Sequence, residues 1–357
     1  MTSTRLKVSR GALVAVDGGQ RARLLGSRYP HYSAWPGLSG VTMSATAADY
    51  ANRSGYDPSF LVPGRRDGQV FLPTLSKALE VDATRLTSDA KSYLLTYYHY
   101  SLVMHRQRRF AIYSAANVDF SGRFDMPRPP DKWLTDPRIP AGAQVGAALY
   151  KSNQFDRGHL TRREDMEFGK TRTEALSTAA DTCHWTNCTP QHAKFNEGKQ
   201  LWQGIERHLL EEAIAPEQFR AQVITGPVFG PKDPVLDGFP ASPYPLRYWK
   251  VAAAINASGK LFATAYVLEQ KSVIVEFGIR GAPEVPFTPY KTFQTTIAEV
   301  ERLTQLTFMG TKGRKRVSLS EFDPVAKLPR PRGMRGAGEP YLALGSLKSI
   351  VKDWSGL

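Results

Sequence analysis

The residues best suited to chemistry in this chain lie close together near its middle. Asp156-Arg157-Gly158-His159 is followed by Asn187, 28 residues after the histidine, and by Asn196, nine residues further on. A histidine has an ordinary pKa of about 6.5 and can take a proton from water at neutral pH. An asparagine amide oxygen is a hard ligand for Mg²⁺, and an arginine guanidinium can bind two phosphate oxygens. Together these residue types predict hydrolysis of a phosphodiester bond.

Each of these candidates also has a purely structural explanation. His159 can be a structural histidine at a strand end, and Asn187 can be a turn asparagine. Asn196 can be a helix N-cap, since asparagine is favoured there. Glu206, which could accept hydrogen bonds from metal-bound water, can be a solvated carboxylate on the polar face of a helix. Because the histidine, the arginine and the asparagines occur together, the functional explanation is favoured.

The neighbours of the histidine suggest further roles. Gly158 is expected to allow an unusual turn, and Asp156 or a nearby carbonyl is expected to orient the imidazole. Arginines can bind phosphate or form ion pairs, and we expect ion pairs for Arg162 more than for Arg157. The arginines and acidic residues concerned are Arg157, Arg162, Arg163, Glu164, Asp165 and Glu167.

The charge of the chain favours a polyanionic partner. Its 357 residues include 47 Lys and Arg against 33 Asp and Glu, a formal net charge of +14. Such an excess is typical of proteins that bind nucleic acid, an acidic lipid surface or an acidic protein. Evenly spread solubility charge is the other explanation. No apolar run is long enough to span a membrane.

The cysteine content and the first residues predict a cytoplasmic protein. The two cysteines, Cys183 and Cys188, exclude a disulfide scaffold and suit a reducing compartment. Residues 1–14 are basic but contain neither a long apolar core nor a small-residue cleavage site, so we expect no secretory signal.

A zinc site has to be weighed as well. Cys183, His184, Cys188 and His192 lie within ten residues and are all zinc-ligand types. Their spacing lacks a CxxC pair. A structural zinc, a 183–188 disulfide and two thiols without a disulfide therefore stay open, and the last is favoured.

The elements that must position the candidates are mostly strands, which predicts an α+β fold. Residues 1–45 and 312–357 are basic and rich in turn formers, and we predict them as extensions of one domain over 46–311. Strands are predicted at 97–103, 110–115, 221–225, 248–255 and 261–268, and helices at 201–210 and 296–306.

Two segments resemble a known family. FDRGHLTRRED and DTCHWTNCTPQHAKFNEGKQLWQGIE are similar to the non-specific DNA/RNA endonucleases of the ββα-metal (His-Me finger) class, which includes endonuclease G-like proteins. The resemblance covers roughly residues 50 to 310. It implies a ββα-metal nuclease fold with a central, mostly antiparallel sheet flanked by helices.

The resemblance also implies a role for each candidate. His159 would be the general base, and Asn196 would be the sole direct protein ligand of Mg²⁺, for which Mn²⁺ or another divalent ion can substitute. Arg157 would belong to the catalytic motif, and Asn187 would be a supporting active-site residue. Glu206 would hold metal-bound water. The implied products have 5′-phosphate ends, with little discrimination between DNA and RNA.

The sequence departs from the family pattern in two places. The step from the metal asparagine to the glutamate is eight residues in endonuclease G-like members, but ten from Asn196 to Glu206. The upstream active-site arginine of the family has no clear match, and Arg109 is only a weak substitute.

The predicted function is a metal-dependent nuclease acting on DNA and RNA. Because a cytoplasmic nuclease of this kind would attack its own genome, we expect regulation, as in a defence or suicide effector restrained by an inhibitor or an activating partner. A homodimer is left open, and no membrane partner is expected. The alternatives are a catalytically inactive nucleic-acid-binding protein and a zinc-stabilised interaction module.

Overall fold

The computed structural model describes residues 6–9, 12–15, 46–126, 130–196, 220–236, 238–239, 242–256, 258–270, 292–327 and 342–343. The chain divides into two compact units, residues 1–42 and 43–357. The predicted division at 45 and 312 stays a prediction. Among the described residues, no helix is both long enough and apolar enough to cross a membrane.

The described strands and helices have the following bounds. The strands are β1 (Leu6–Ser9), β2 (Ala12–Ala15), β3 (Thr74–Leu75), β4 (Leu94–Thr96), β5 (Tyr100–Met104), β6 (Ala111–Asp119), β7 (Phe155–His159), β8 (Cys188–His192), β9 (Arg220–Val228), β10 (Arg247–Ile255), β11 (Leu261–Glu269), β12 (Thr292–Thr295), β13 (Leu306–Thr307), β14 (Met309–Lys312), β15 (Lys315–Ser318) and β16 (Leu342–Ala343). The helices are α1 (Lys77–Asp82), α2 (Arg172–Asp181), α3 (Ala193–Asn196) and α4 (Ile297–Thr304).

The first unit contains a short antiparallel hairpin of β1 and β2. The second is built around an eight-stranded sheet in the order β16-β12-β11-β10-β9-β6-β5-β4, with antiparallel neighbours throughout.

The sheet separates two hydrophobic cores, because successive side chains of a strand point to opposite faces. On β11, Ala263, Ala265 and Val267 enter one core, while Tyr266 and Leu268 enter the other. Strands β6, β9, β10 and β11 are buried along almost their whole length. The large antiparallel sheet with few helices confirms the α+β class.

Most of the predicted elements are present. The predicted pair at 248–255 and 261–268 is β10 with β11, turned where the N–H of Gly259 donates to the carbonyl of Asn256 at 2.8 Å. Gly259 has a φ of +75°, which glycine adopts at little cost. The predicted helix at 296–306 is α4, capped by the Thr296 side chain.

Two predicted elements do not match a described element as expected. The first predicted hairpin begins later than expected, since Tyr97 precedes β5 and stacks on Tyr100 with ring centroids 4.6 Å apart. The predicted helix at 201–210 lies outside the described residues.

A small two-stranded ribbon, β7 with β8, packs on one face of the large sheet together with α3. Phe195 of α3 lies against Tyr248 of β10, with ring centroids 5.6 Å apart. The hydroxyl of Tyr248 donates to the carbonyl of Pro190 in β8 at 2.7 Å. The sheet therefore provides a rigid base for the ribbon and the helix.

Candidate active site

The ribbon and the helix together form a strand-strand-helix unit. Strands β7 and β8 are antiparallel, with Phe155 opposite His192 and His159 opposite Cys188. Helix α3 begins directly after β8. One strand thus ends at His159, and the helix that follows its partner contains Asn196.

His159 is partly buried and contacts two other segments of the chain. Its ring centroid lies 4.8 Å from that of Trp133. Its Nε2 lies 3.9 Å from Sγ of Cys183. The imidazole is therefore held between the loop before residue 134 and the segment just after α2.

Arg157 shares the Trp133 contact. Residues two apart on a strand face the same side, so Arg157 and His159 lie on one face of β7. The Arg157 guanidinium lies 5.5 Å from the centre of the Trp133 ring. Arg157 is exposed and forms no ion pair with the described residues. It can therefore bind a phosphate. Trp133 was not predicted, and nothing in the sequence of its proline-rich loop indicates this contact.

The two arginines after the histidine have structural partners. Arg162 forms ion pairs with Glu164 and, at 3.3 Å, with Asp165. Arg163 pairs with Glu167 at 3.2 Å. Both arginines are buried. The expectation of an ion pair for Arg162 rather than for Arg157 is confirmed.

Asn196 is anchored by the first residue of the DRGH motif. Its Nδ2 donates to Oδ2 of Asp156 at 3.1 Å. The sequence predicts that Asp156 or a nearby carbonyl orients the imidazole of His159. The described hydrogen bond of the Asp156 carboxylate is to Asn196 instead. Asn196 also lies three residues into α3, so it is not the N-cap.

This contact makes Asn196 a suitable ligand for a hard cation. A carboxylate can only accept hydrogen bonds, so the amide nitrogen of Asn196 must face Asp156. The amide oxygen then points elsewhere, and no described residue donates to it. Mg²⁺ takes few protein oxygens and keeps several waters. The donor set fits such an ion.

Asn187 has a different position. It is fully buried, and its Oδ1 accepts from the N–H of Thr161 at 2.9 Å and from the hydroxyl of Ser114 at 3.3 Å. Its Nδ2 donates to the carbonyls of Thr161, at 2.9 Å, and Thr182, at 3.0 Å. These four bonds use the whole capacity of the amide. The described contacts of Asn187 therefore position the chain after His159.

Gln191 lies in the quoted motif but has no predicted role. It is opposite Asp156 in the ribbon, and both atoms of its amide are buried with no hydrogen-bond partner among the described residues. An unsatisfied buried amide costs about 1–3 kcal/mol.

The Gln191 side chain also explains Gly158. A Cβ at Gly158 would lie 2.3 Å from it. Gly158 is an ordinary strand residue without a positive φ. The prediction of an unusual turn at Gly158 is therefore wrong. The glycine is needed because its missing side chain leaves space for the side chain of Gln191.

The four zinc-ligand types do not converge. Within the described ranges, no three His, Cys, Asp or Glu side chains are grouped to hold a metal. Neither cysteine forms a disulfide. Each of the four contacts a different residue: Cys183 contacts His159, His184 contacts Tyr50, Cys188 contacts Tyr150, and His192 contacts Gln154. Burial raises the pKa of the Cys188 thiol to about 12, so this thiol stays protonated.

Two further candidates, Glu206 and Arg109, have no described contact with the strand-strand-helix unit. Glu206 lies outside the described residues. The Arg109 guanidinium donates to the carbonyl of Gln144 at 2.7 Å and to the hydroxyl of Ser242 at 3.4 Å. These bonds tie together two loops, which is a structural role.

The sequence of residues 78–314 matches the model of the DNA/RNA non-specific endonuclease family. The match covers more than half of the chain, so the chain belongs to this family. The family consists of nucleases that depend on a divalent metal ion.

Two similar proteins illustrate the relationship. The chain is 33% identical over 270 residues to the uncharacterized protein y4fB of Sinorhizobium fredii (strain NBRC 101917 / NGR234), an alignment covering 72% of this chain and 39% of y4fB. The chain thus spans about two fifths of the length of that relative. A crystal structure of the EndoG/EndoGI complex, described as showing the mechanism of EndoG inhibition, is similar with a TM-score of 0.46 and 18% identity, covering 60% of this chain and 84% of the other.

Proposed function

We propose that the chain is an endonuclease that hydrolyses phosphodiester bonds of DNA and RNA with little sequence preference. Mg²⁺ is the proposed cation, with Mn²⁺ or another divalent ion as a substitute. The proposed products carry 5′-phosphate ends. The observation that supports this most is the strand-strand-helix unit, which presents His159 at a strand end and Asn196 with its amide nitrogen on Asp156.

His159 acts as the general base in this proposal. It takes a proton from a water molecule while the water oxygen bonds to phosphorus. The bond between phosphorus and the 3′ oxygen breaks, and the 3′ oxygen takes a proton from solvent. The products are a 5′-phosphate and a 3′-hydroxyl.

Arg157 binds the phosphate. Its guanidinium is exposed, forms no described ion pair and lies on the same face of β7 as His159. A guanidinium can meet two nonbridging oxygens and offset the charge that gathers on them during attack.

Asn196 holds the cation through Oδ1, and Asp156 keeps the amide turned so that this oxygen is presented. When bound, a divalent ion offsets negative charge on the phosphate and on the departing oxygen.

The positive charge of the chain supports binding of a nucleic acid mainly through the phosphates of the nucleic-acid backbone. A net charge of +14 attracts a polyanion regardless of sequence. Contacts to phosphates position a nucleic acid without reading its bases. This agrees with cleavage of both DNA and RNA.

A digestion assay tests this function against the inactive-binder alternative. Plasmid DNA and a structured RNA are incubated with the full-length chain, with and without EDTA, and with His159→Ala. We expect cleavage of both substrates, its loss in EDTA, and a rate lower by about two to four orders of magnitude without the base. Ser54→Ala, a change at an exposed side chain, is the control. Binding of both nucleic acids without any metal-dependent cleavage would establish the alternative.

Restraint of the nuclease in a defence or suicide role is part of the proposal. We expect high-level expression of the full-length chain to be tolerated only while its activity is blocked. Growth at the normal rate with unrestrained nuclease activity in the lysate would contradict this.

A further inference from the structure

A basic hairpin lies outside the proposed active site. Strands β14 and β15 are joined by the two-residue turn Gly313-Arg314, with Lys312 directly opposite Lys315. The charged residues of this hairpin are exposed. The family match ends at residue 314, so β15 lies beyond the matched residues. The proposed mechanism gives the hairpin no role.

The hairpin and the strand-strand-helix unit pack on opposite faces of the large sheet. Phe308, just before β14, and Leu319, just after β15, lie in the same hydrophobic core as Ala265 of β11. Phe195 of α3 lies in the other core with Tyr248 of β10. A nucleic acid at the hairpin is therefore not held by the residues of the proposed active site.

Two neighbouring segments add positive charge beside the hairpin. The Thr311 hydroxyl donates to the carbonyl of Arg66 at 2.5 Å, which places Arg66 at the hairpin. Lys260, in the turn between β10 and β11, lines a cleft of about 410 Å³ together with Lys312. We define the basic surface as six exposed residues: Arg66, Lys260, Lys312, Arg314, Lys315 and Arg316.

Two acidic residues, Asp67 and Glu321, line the same cleft. Glu321 pairs with Lys312 at 3.5 Å, and both side chains are exposed. Oδ1 of Asp67 accepts from the N–H of Gly313 at 2.7 Å, so this carboxylate holds the turn of the hairpin. The two acidic residues offset only part of the charge of the basic surface.

The remaining charges have no compensation within the part of the chain that the structure describes. Arg66, Arg314 and Lys315 form no ion pair there. Lys312 and Lys315 are directly opposite in the hairpin, and like charges in that position destabilise a strand pair. Bound phosphates would remove this repulsion, because each adds a negative charge between the cations.

We propose that the basic surface binds the phosphate backbone of a second segment of the same nucleic acid that is cleaved at the active site. This inference rests on the proposed action of the chain on DNA and RNA. A long nucleic acid held at the basic surface stays near the active site at a high effective concentration. The surface therefore lowers KM for long substrates, while kcat does not depend on it.

Binding is measured by fluorescence anisotropy with a long DNA duplex, the full-length chain and EDTA, so that no cleavage occurs. The test variant combines Arg66→Gln, Arg314→Gln and Lys315→Gln. Each lost phosphate contact lowers the slope of log affinity against log salt by about 0.9, so we expect a slope less steep by about two to three. We also expect an affinity at least about tenfold lower.

Two further variants exclude a loss of folding or of net charge as the cause. Lys91→Gln, Lys170→Gln and Lys232→Gln together remove the same charge from other exposed positions and should keep a slope near that of the wild type. Glu321→Gln frees Lys312 for a phosphate and should raise the affinity by up to about fivefold, which a misfolded chain would not do.

The kinetics of cleavage provide a second readout. In the variant of Arg66, Arg314 and Lys315, KM for plasmid DNA should rise by about tenfold or more while kcat stays near the wild-type value. A duplex of a single helical turn is too short to reach both faces of the sheet. Both KM and kcat for this short duplex should match the wild type.

Equal DNA affinities and equal salt slopes for the wild type and the variant of Arg66, Arg314 and Lys315 would overturn the proposal. If only the wild type then bound phosphatidylserine vesicles, the basic surface would belong to a lipid partner instead. Equal losses in that variant and in the lysine control would also overturn it, because net charge alone would explain both. The binding result in EDTA does not depend on cleavage. The expected binding by a wild type that cleaves nothing would contradict the proposed function alone.

Discussion

At the scale of single residues, the site depends on side chains that orient other side chains. Asp156 fixes the amide of Asn196, and Trp133 lies against both Arg157 and His159. A weak ligand such as an amide oxygen binds a cation well only when its direction is already set. The partners of the reactive groups are therefore expected to matter nearly as much as the groups themselves.

Replacing Asp156 tests the orientation of the metal ligand. In Asp156→Ala the Asn196 amide is no longer held, so the Mg²⁺ concentration for half-maximal cleavage should rise by about ten- to a hundredfold. Asp156→Asn, which can still accept from Asn196, should have a smaller effect. The measurement is the initial rate of plasmid nicking across a Mg²⁺ titration. An unchanged Mg²⁺ dependence in Asp156→Ala would show that this bond does not serve the cation.

Replacing Trp133 tests the contact between its ring and the Arg157 guanidinium. A cation–π contact at a partly exposed site is worth about 0.5–1 kcal/mol, so Trp133→Leu should raise KM by about two- to fivefold. Trp133→Phe should retain most of the wild-type affinity. In an Arg157→Ala background, Trp133→Leu should have no further effect on KM. Equal effects with and without Arg157 would contradict the coupling.

At the scale of secondary-structure elements, Asn187 connects three parts of the fold. Its amide bonds Thr161 after β7, Thr182 after α2 and Ser114 in the central strand β6. Ser114 Oγ also lies 2.7 Å from Oγ1 of Thr161. The segment that follows the histidine is thus attached to the rigid centre of the sheet.

This connection predicts a large loss of stability. Asn187→Ala leaves three buried backbone groups without their partner, and the free energy of unfolding should fall by about 3 kcal/mol or more. Ser114→Ala removes one donor and should lower it by about 1–2 kcal/mol. Urea unfolding followed by tryptophan fluorescence measures both, with Ser54→Ala, a change at an exposed side chain, as a control. A change below about 0.5 kcal/mol in Asn187→Ala would contradict the role of the amide.

The elements also show what sequence could and could not predict. The β10–β11 hairpin was predictable because an apolar run on each side flanks a turn with glycine at its positive-φ position. The strand-strand-helix unit was expected only through the family that the DRGH and asparagine motifs resemble. The contacts of His159 with Trp133 and Cys183 were not predictable, because Trp133 lies 26 residues before it and Cys183 24 residues after it, and no local pattern indicates how these segments pack.

At the scale of the whole molecule, the net charge of +14 should control substrate binding. Affinity that comes from phosphate contacts falls as salt rises, by about tenfold between 50 and 200 mM for only two contacts. We expect at least this loss for a DNA duplex bound to His159→Ala, with equal affinities for two unrelated sequences. Fluorescence anisotropy measures both. An affinity that does not change with salt concentration, or that differs between the two sequences, would contradict recognition through the DNA phosphates.

The claim on which the rest depends is that Asn196 holds the catalytic cation while His159 supplies the base. The most direct test is the rate of plasmid nicking by Asn196→Ala and wild type across a Mg²⁺ titration, with the exposed Ser54→Ala as the control. We expect the wild type and the control to share one Mg²⁺ curve, and Asn196→Ala to stay at least about a hundredfold slower at every concentration. A Mg²⁺ curve for Asn196→Ala that overlays the wild type would contradict the account.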